Sequence, residues 1–123
     1  MHYTRLYSDE QGDTHFEQVE IELHHQGPIG LISDRFEVDQ LMFRQNPKDY
    51  DFAMHNAPAR QFIIMLDGFL EVITSLGERR TFHGGDILLV EDTTGKGHHS
   101  RHYKPEIRHS IFITLKSVIS DEI

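Results

Sequence analysis

The stretch Gln61 to Ser75, QFIIMLDGFLEVITS, constrains the fold more than any other part of the chain. It holds two apolar runs broken at Asp67-Gly68, a pair that readily adopts the backbone angles of a hairpin turn. Each run is too short for a stable helix and is rich in the β-branched and aromatic residues that suit a pleated surface. The same pattern recurs along the chain. His15 to Leu23 (HFEQVEIEL) alternates, with Val19, Ile21 and Leu23 on one face and Glu20 and Glu22 on the other, solvated one. A turn at Gly27-Pro28 leads into Ile29 to Ile32, Phe36 to Arg44 reads as a strand, and Asn46 to Asp51, containing Pro47, reads as a loop. Arg79 to Phe82, Ile87 to Val90, His98 to Tyr103 and Arg108 to Leu115 are further strand candidates, with glycine turns at Gly77 and Gly84-Gly85. Short strands at this spacing predict an all-β sandwich or barrel. From Ser117 the chain reads as a short tail or an edge strand.

A chain of 123 residues encloses one core, so one domain is expected over 1–123, with N-terminal strands over 1–45 and the core motifs over 46–115. Twenty acidic against twelve basic residues give a formal charge of -8, and no basic cluster stands out beyond Arg79-Arg80. Nucleic acid is therefore not an expected partner. Cysteine is absent, which excludes disulfides and thiolate chemistry and fits a reducing compartment. The polar start MHYTRLYSDEQGD lacks a secretory apolar stretch, and no apolar run approaches the ~20 residues of a spanning helix. A soluble, cytoplasmic protein with no membrane partner is expected. The ten histidines concentrate at His98, His99, His102 and His109, a distribution compatible with metal or proton chemistry.

Phe62 to Leu66 is apolar on both strand faces, so something must cover the outer one. Leaving Phe62, Ile64 and Leu66 in water would forgo ~1.5–3 kcal/mol for each side chain. Either the N-terminal strands or a second copy of the chain can provide that cover, and a two-fold homodimer is the expected arrangement.

Within this frame, His55 to His102 resembles the two metal-site motifs of the cupin superfamily. The first motif runs His-x-His, a short turn that often opens on Pro, Glu, six residues and Gly. Here His55 fits the first histidine, Ala57 falls where the second belongs, Pro58 opens the turn, Gln61 stands in the glutamate position and Gly68 closes the motif. Gly85, Asp86, Ile87 to Val90 and His98 follow the order of the second motif, with a loop from Glu91 to Gly97 about two residues longer than usual. The resemblance implies a cupin double-stranded β-helix, or jelly-roll barrel. It also implies one divalent ion (Fe, Mn, Ni or Zn) held by His55, Gln61 and His98.

That ligand set carries no negative charge and supplies three protein atoms, so its affinity should fall below that of three histidines and a carboxylate. On one extended strand His98 and His102 lie ~13 Å apart, too far to share an ion, but their even separation lets both face one cavity. His55 and Gln61 can converge only if the chain reverses at Ala57-Pro58-Ala59, where proline breaks the strand. A purely architectural reading stands beside this one: His55 caps a strand and Gln61 bonds a backbone group at the barrel rim.

By alternation His99 points away from His98, whereas Ser100 and His102 share its side and are candidates for substrate binding. Arg60 and Arg101 are candidates to grip a substrate carboxylate or phosphate. Asp86 reads as a turn residue. Thr93 to Gly97 lacks the spacing of a phosphate loop. Tyr50, Phe52, Met54, Phe43, Ile63 and Met65 supply apolar wall or core.

A small-molecule ligand is expected, and three functions are compatible with these residues: a metal-dependent oxygenase- or isomerase-like enzyme, a metal-free isomerase or epimerase in which His98 or His55 moves a proton beside a carbonyl, and a non-catalytic binding protein.

Overall fold

The computed structural model describes residues 1–116, and the segment from Ser117, expected as a tail or edge strand, lies outside the described residues. The chain is all-β. Its strands are β1 (His2–Ser8), β2 (Thr14–Glu20), β3 (His24–His25), β4 (Leu31–Ile32), β5 (Val38–Asn46), β6 (Asp51–His55), β7 (Gln61–Met65), β8 (Phe69–Thr74), β9 (Arg79–His83), β10 (Ile87–Val90), β11 (His98–Arg101) and β12 (Arg108–Leu115). Among the described residues the one helical element is a 3₁₀ turn at Gly27–Ile29, and no helix is long and apolar enough to cross a membrane.

Two sheets carry the fold: six strands in the order β2-β1-β10-β7-β12-β5, and four in the order β6-β11-β8-β9. They face one another across a shared core in which Leu6, Met65, Leu88 and Val90 of the larger sheet meet Leu70, Val72 and Phe82 of the smaller. Phe16 and Phe82 close the layer at one edge, with ring centroids 6.3 Å apart. This two-layer arrangement is compatible with a jelly-roll sandwich.

The hairpin at Asp67-Gly68 forms as β7 and β8, and β10 and β12 occupy the spans that the apolar runs mark out. The polar N-terminus, inside the span expected to hold N-terminal strands but not singled out as one, forms β1, an interior strand parallel to β10 with Thr4 to Leu6 opposite Leu88 to Val90. Leu6, 1% exposed, is its one wholly buried apolar residue, so hydrophobic periodicity hardly marks the strand while hydrogen-bond ladders on both sides hold it. β6 is also new, since Asp51 to His55 pairs with β11 at the edge of the smaller sheet. Conversely, Ile29 to Ile32 yields no full strand: proline in the first turn seeds the 3₁₀ element and leaves a two-residue β4.

The outer face of β7 is covered in part from within the chain. Phe62 meets Tyr3 and Phe36 edge-on, with centroid distances of 5.3 and 5.1 Å. Leu66 beyond it stays 53% exposed.

Candidate functional site

His98 opens β11 directly opposite His55, the last residue of β6, and the two imidazole centroids lie 4.4 Å apart at 55°. The reversal at Ala57-Pro58-Ala59 brings Gln61, at the start of β7, to the same cavity. Asp92 anchors that reversal, its carbonyl accepting from Ala57 N (3.1 Å) and Asn56 Nδ2 (3.2 Å). Gln61 is 3% exposed. The close pairing also depends on Gly97, which runs against the His55 backbone at φ 77°.

Each imidazole is oriented through its Nδ1. His55 Nδ1 lies 2.8 Å from the Ala53 carbonyl, which can only accept, so this nitrogen donates and Nε2 is free. The ring of Phe52 stacks on His55 at 3.6 Å and 7°. His98 Nδ1 lies 2.5 Å from Asp92 Oδ2. A carboxylate facing a ring nitrogen accepts its proton, which leaves His98 Nε2 as the nitrogen available to a ligand. Asp92 is fully buried, and its Oδ1 has no partner among the described residues.

Both rings line a cavity of about 340 Å³ between the sheets. Leu6, Ile63, Leu70, Leu88, Val90 and Phe112 form its apolar wall; its polar groups include Gln61, Ser100, Tyr50, Arg44 and Arg108. Ser100 Oγ and Tyr50 Oη are hydrogen-bonded at 2.7 Å. Arg108 is 1% exposed, and burial, reinforced by the charge of Arg44, pulls its guanidinium down to about 10. Gly68 makes room for it, since a Cβ there would stand 2.9 Å from Arg108 Cβ.

The structure thus brings together His55, Gln61, His98 and Ser100 of the residues singled out in the sequence. It does not bring His102, Arg101, Arg60, His99 or Asp86 to the cavity wall. His102 lies just past β11, with Nδ1 3.3 Å from the Lys48 carbonyl and Nε2 accepting from Arg108 Nε at 3.0 Å, so it meets the cavity indirectly, through that arginine and through the Tyr50 ring 5.3 Å away. Arg101 pairs with Glu71 at 2.8 Å and, with His102, faces a separate polar depression. Arg60 pairs with Glu91 at 2.6 Å. His99 points away from His98 and meets Asp51 at 2.5 Å. Asp86 caps its turn, accepting from His83 N at 2.8 Å. Tyr50, Phe52 and Ile63 line the cavity and Met65 joins the core, whereas Phe43 and Met54 are exposed.

Sequence reasoning missed Asp92, Arg44 and Arg108. The extra length of the Glu91 to Gly97 loop was the one signal for Asp92, because that length lets the chain fold its carboxylate behind His98. The arginines sit in alternating strands, where nothing local separates a cavity-facing guanidinium from a solvated one.

These donors make a poor resident metal site. Among the described residues no group of three or more His, Cys, Asp or Glu side chains is placed to hold an ion. The donors facing the cavity are two imidazoles and an amide, the nearby carboxylate is engaged behind His98, and two guanidiniums on the same cavity raise the potential against a cation.

Burial lowers the proton affinity of His55, aided by the charges of His98 and Arg44 and opposed by the Ala53 carbonyl and Asp92. It lowers that of His102 as well, aided by Arg108 and Arg44 and opposed by Lys48 and Asp49. The unfolded chain takes up these protons near pH ~6.5 and the folded chain only at lower pH. Their contribution to stability is therefore complete above that value and is lost as pH falls below it. The urea midpoint should be lower at pH 5.5 than at pH 7.5, and the double variant His55→Phe, His102→Phe should remove most of that difference. An equal fall in the variant would contradict the assignment.

No family model and no curated protein matches the chain. Solved structures similar to it include a conserved protein of unknown function from Streptococcus pyogenes, 15% identical over 70% of each chain with a TM-score of 0.48. A protein from Neisseria meningitidis is 15% identical over 67% of this chain and 84% of that one, with a TM-score of 0.45.

Proposed function

We propose that the chain is a small cupin-type protein whose cavity takes up a small organic molecule and moves a proton on it without a metal. The observation that carries this reading is the buried pair Asp92–His98, which fixes one imidazole nitrogen and directs the other to the cavity beside His55. In such a reaction His98 Nε2 takes the proton from a carbon next to a carbonyl, and the C–H electron pair passes into the enolate. Asp92 stabilises the imidazolium, and His98 returns its proton to the neighbouring carbon, giving an isomer; where His55 Nε2 has first taken up a proton from water, it delivers that proton to the opposite face, giving an epimer. Positioned acid–base groups of this kind contribute about 10²–10⁴ in rate.

Exchange of α-protons into D₂O, followed by proton NMR on a panel of 2-oxo and 2-hydroxy acids, tests the reading. Metal-stripped wild type should exchange at least one of them, and His98→Asn should not. Exchange that appears only after Fe, Mn, Ni or Zn is restored would favour the metal-dependent reading, and turnover of none would leave a binding protein.

We also propose a homodimer formed along β5. Among the described residues this nine-residue strand is a sheet edge with one row of backbone groups unpaired, and it exposes Leu41 (55%), Met42 (42%) and Phe43 (79%), a surface that a two-fold copy would cover. Sedimentation equilibrium should give twice the chain mass, falling to one with Phe43→Asp; a monomeric wild type contradicts this assembly. The absence of cysteine supports a cytoplasmic setting.

A further inference from the structure

Arg108 is among the largest wholly buried side chains of the protein, and a guanidinium keeps its proton at neutral pH, so it is a charge held out of water. A buried charge is costly unless an opposite one meets it. The solvent-accessible arginines differ: Arg5, Arg60, Arg79, Arg80 and Arg101 each pair with a glutamate, and Arg35 is open to water. Arg108 instead donates to His102 Nε2 at 3.0 Å and to the thioether of Met65 at 3.4 Å, and among the described residues no carboxylate pairs with it. Arg44 likewise has no acid partner among the described residues. The two guanidinium carbons sit over one ring, that of Tyr50, at 5.3 and 5.2 Å from its centroid, and both side chains line the cavity. In a protein of net charge -8, this interior spot carries two positive charges and, among the described residues, no carboxylate bonded to either, Asp67 acting on Arg108 only through its charge.

We propose that the missing counter-charge is the ligand's: the cavity binds a small organic acid whose carboxylate bridges Arg44 and Arg108 and whose apolar body lies along Ile63, Leu88, Val90 and Phe112. Two planar forks suit a carboxylate. A phosphate fits less well, because the rest of the wall is largely apolar and the nearby hydroxyls of Tyr50 and Ser100 are bonded to each other. The position also serves the proton transfer proposed above, on which the substrate role rests. Tyr50 reaches Ser100, which lies two residues, roughly 6.6 Å of strand, along β11 from His98. Arg44, Arg108 and His98 thus line one cavity, so an acid held at the arginines shares it with the His98 ring.

Benzoate, cyclohexanecarboxylate and hexanoate, each compared with its uncharged amide, are the probes for thermal unfolding and titration calorimetry at pH 7.5. At least one acid should raise Tm by about 5 °C at saturation and bind at least about tenfold more tightly than its amide. Arg108→Met should fold with an unchanged or higher Tm, since a buried unpaired charge is removed, and should lose the response to the acid. Arg44→Met, at a half-exposed position, should weaken binding about tenfold and serves where Arg108→Met does not fold. Equal binding of acid and amide, no response to any of the acids, or full binding by these variants would overturn the proposal. Inorganic phosphate binding more tightly than every acid would overturn the assignment to carboxylates. His98→Asn is expected to keep benzoate bound, and a wild type that binds benzoate yet exchanges the α-protons of none of the 2-oxo and 2-hydroxy acids ends the catalytic reading while the carboxylate site stands.

Discussion

Replacing Gly97 by alanine should lower the thermal midpoint by about 10 °C or more. Gly97 sits at φ 77°, and a Cβ built there would stand 2.3 Å from the His55 carbonyl oxygen and 2.6 Å from its carbon. The left-handed backbone alone costs an L-residue about 1–2 kcal/mol. The overlap adds to this because the atoms it strikes are backbone, so relief requires β6 to draw away from β11. A total of about 3 kcal/mol or more is expected, at roughly 3–6 °C per kcal/mol for a domain of this size. Gly77→Ala is the natural comparison, since that residue has φ 87° with nothing within 4 Å of its added Cβ and incurs only the backbone cost. Scanning calorimetry of both variants checks the claim, and equal losses would contradict the close approach. The alanine at 97 should also part the two imidazoles and reduce proton exchange even where the fold survives.

Asp92→Asn should leave the fold and carboxylate binding largely intact while lowering α-proton exchange about 10²–10⁴-fold. The carboxylate can only accept, so it holds the His98 proton on Nδ1 and keeps Nε2 bare. A side-chain amide can turn its NH₂ toward the ring instead, which moves the imidazole proton to Nε2 and removes the base. Exchange rates of wild type and variant, with benzoate affinity measured alongside, separate the loss of a positioning residue from the loss of the site. Unchanged exchange in Asp92→Asn would mean that Asp92 is structural only.

The strands that were legible in the sequence are those whose stability is written in their own side chains. Ile87 to Val90 and the Gln61 to Ser75 hairpin are apolar runs bounded by glycine turns, and they fold where the pattern puts them. β1 was not legible, because its position depends on ladders to β2 and β10 rather than on an apolar face, and Leu6 is a single letter among polar ones. Half of the site was visible for a related reason. His55 and His98 stand in a recognisable frame of turn residues, and strand pairing places them opposite each other. Its electrostatics were hidden. Arg60 and Arg101 looked as suitable as any arginine for an anion, yet both meet glutamates outside the cavity, while Arg44 and Arg108 face inward with no such partner among the described residues. Which guanidinium finds a partner is decided by long-range pairing, and that pairing carries no local signature.

The most direct test of the site is the protonation of the His98 ring, read by long-range ¹H–¹⁵N correlation NMR at pH 7.5. A proton on Nδ1, held by Asp92, is expected, with an unprotonated Nε2 whose resonance moves when benzoate enters the cavity. A proton found on Nε2, with Nδ1 bare, would contradict it.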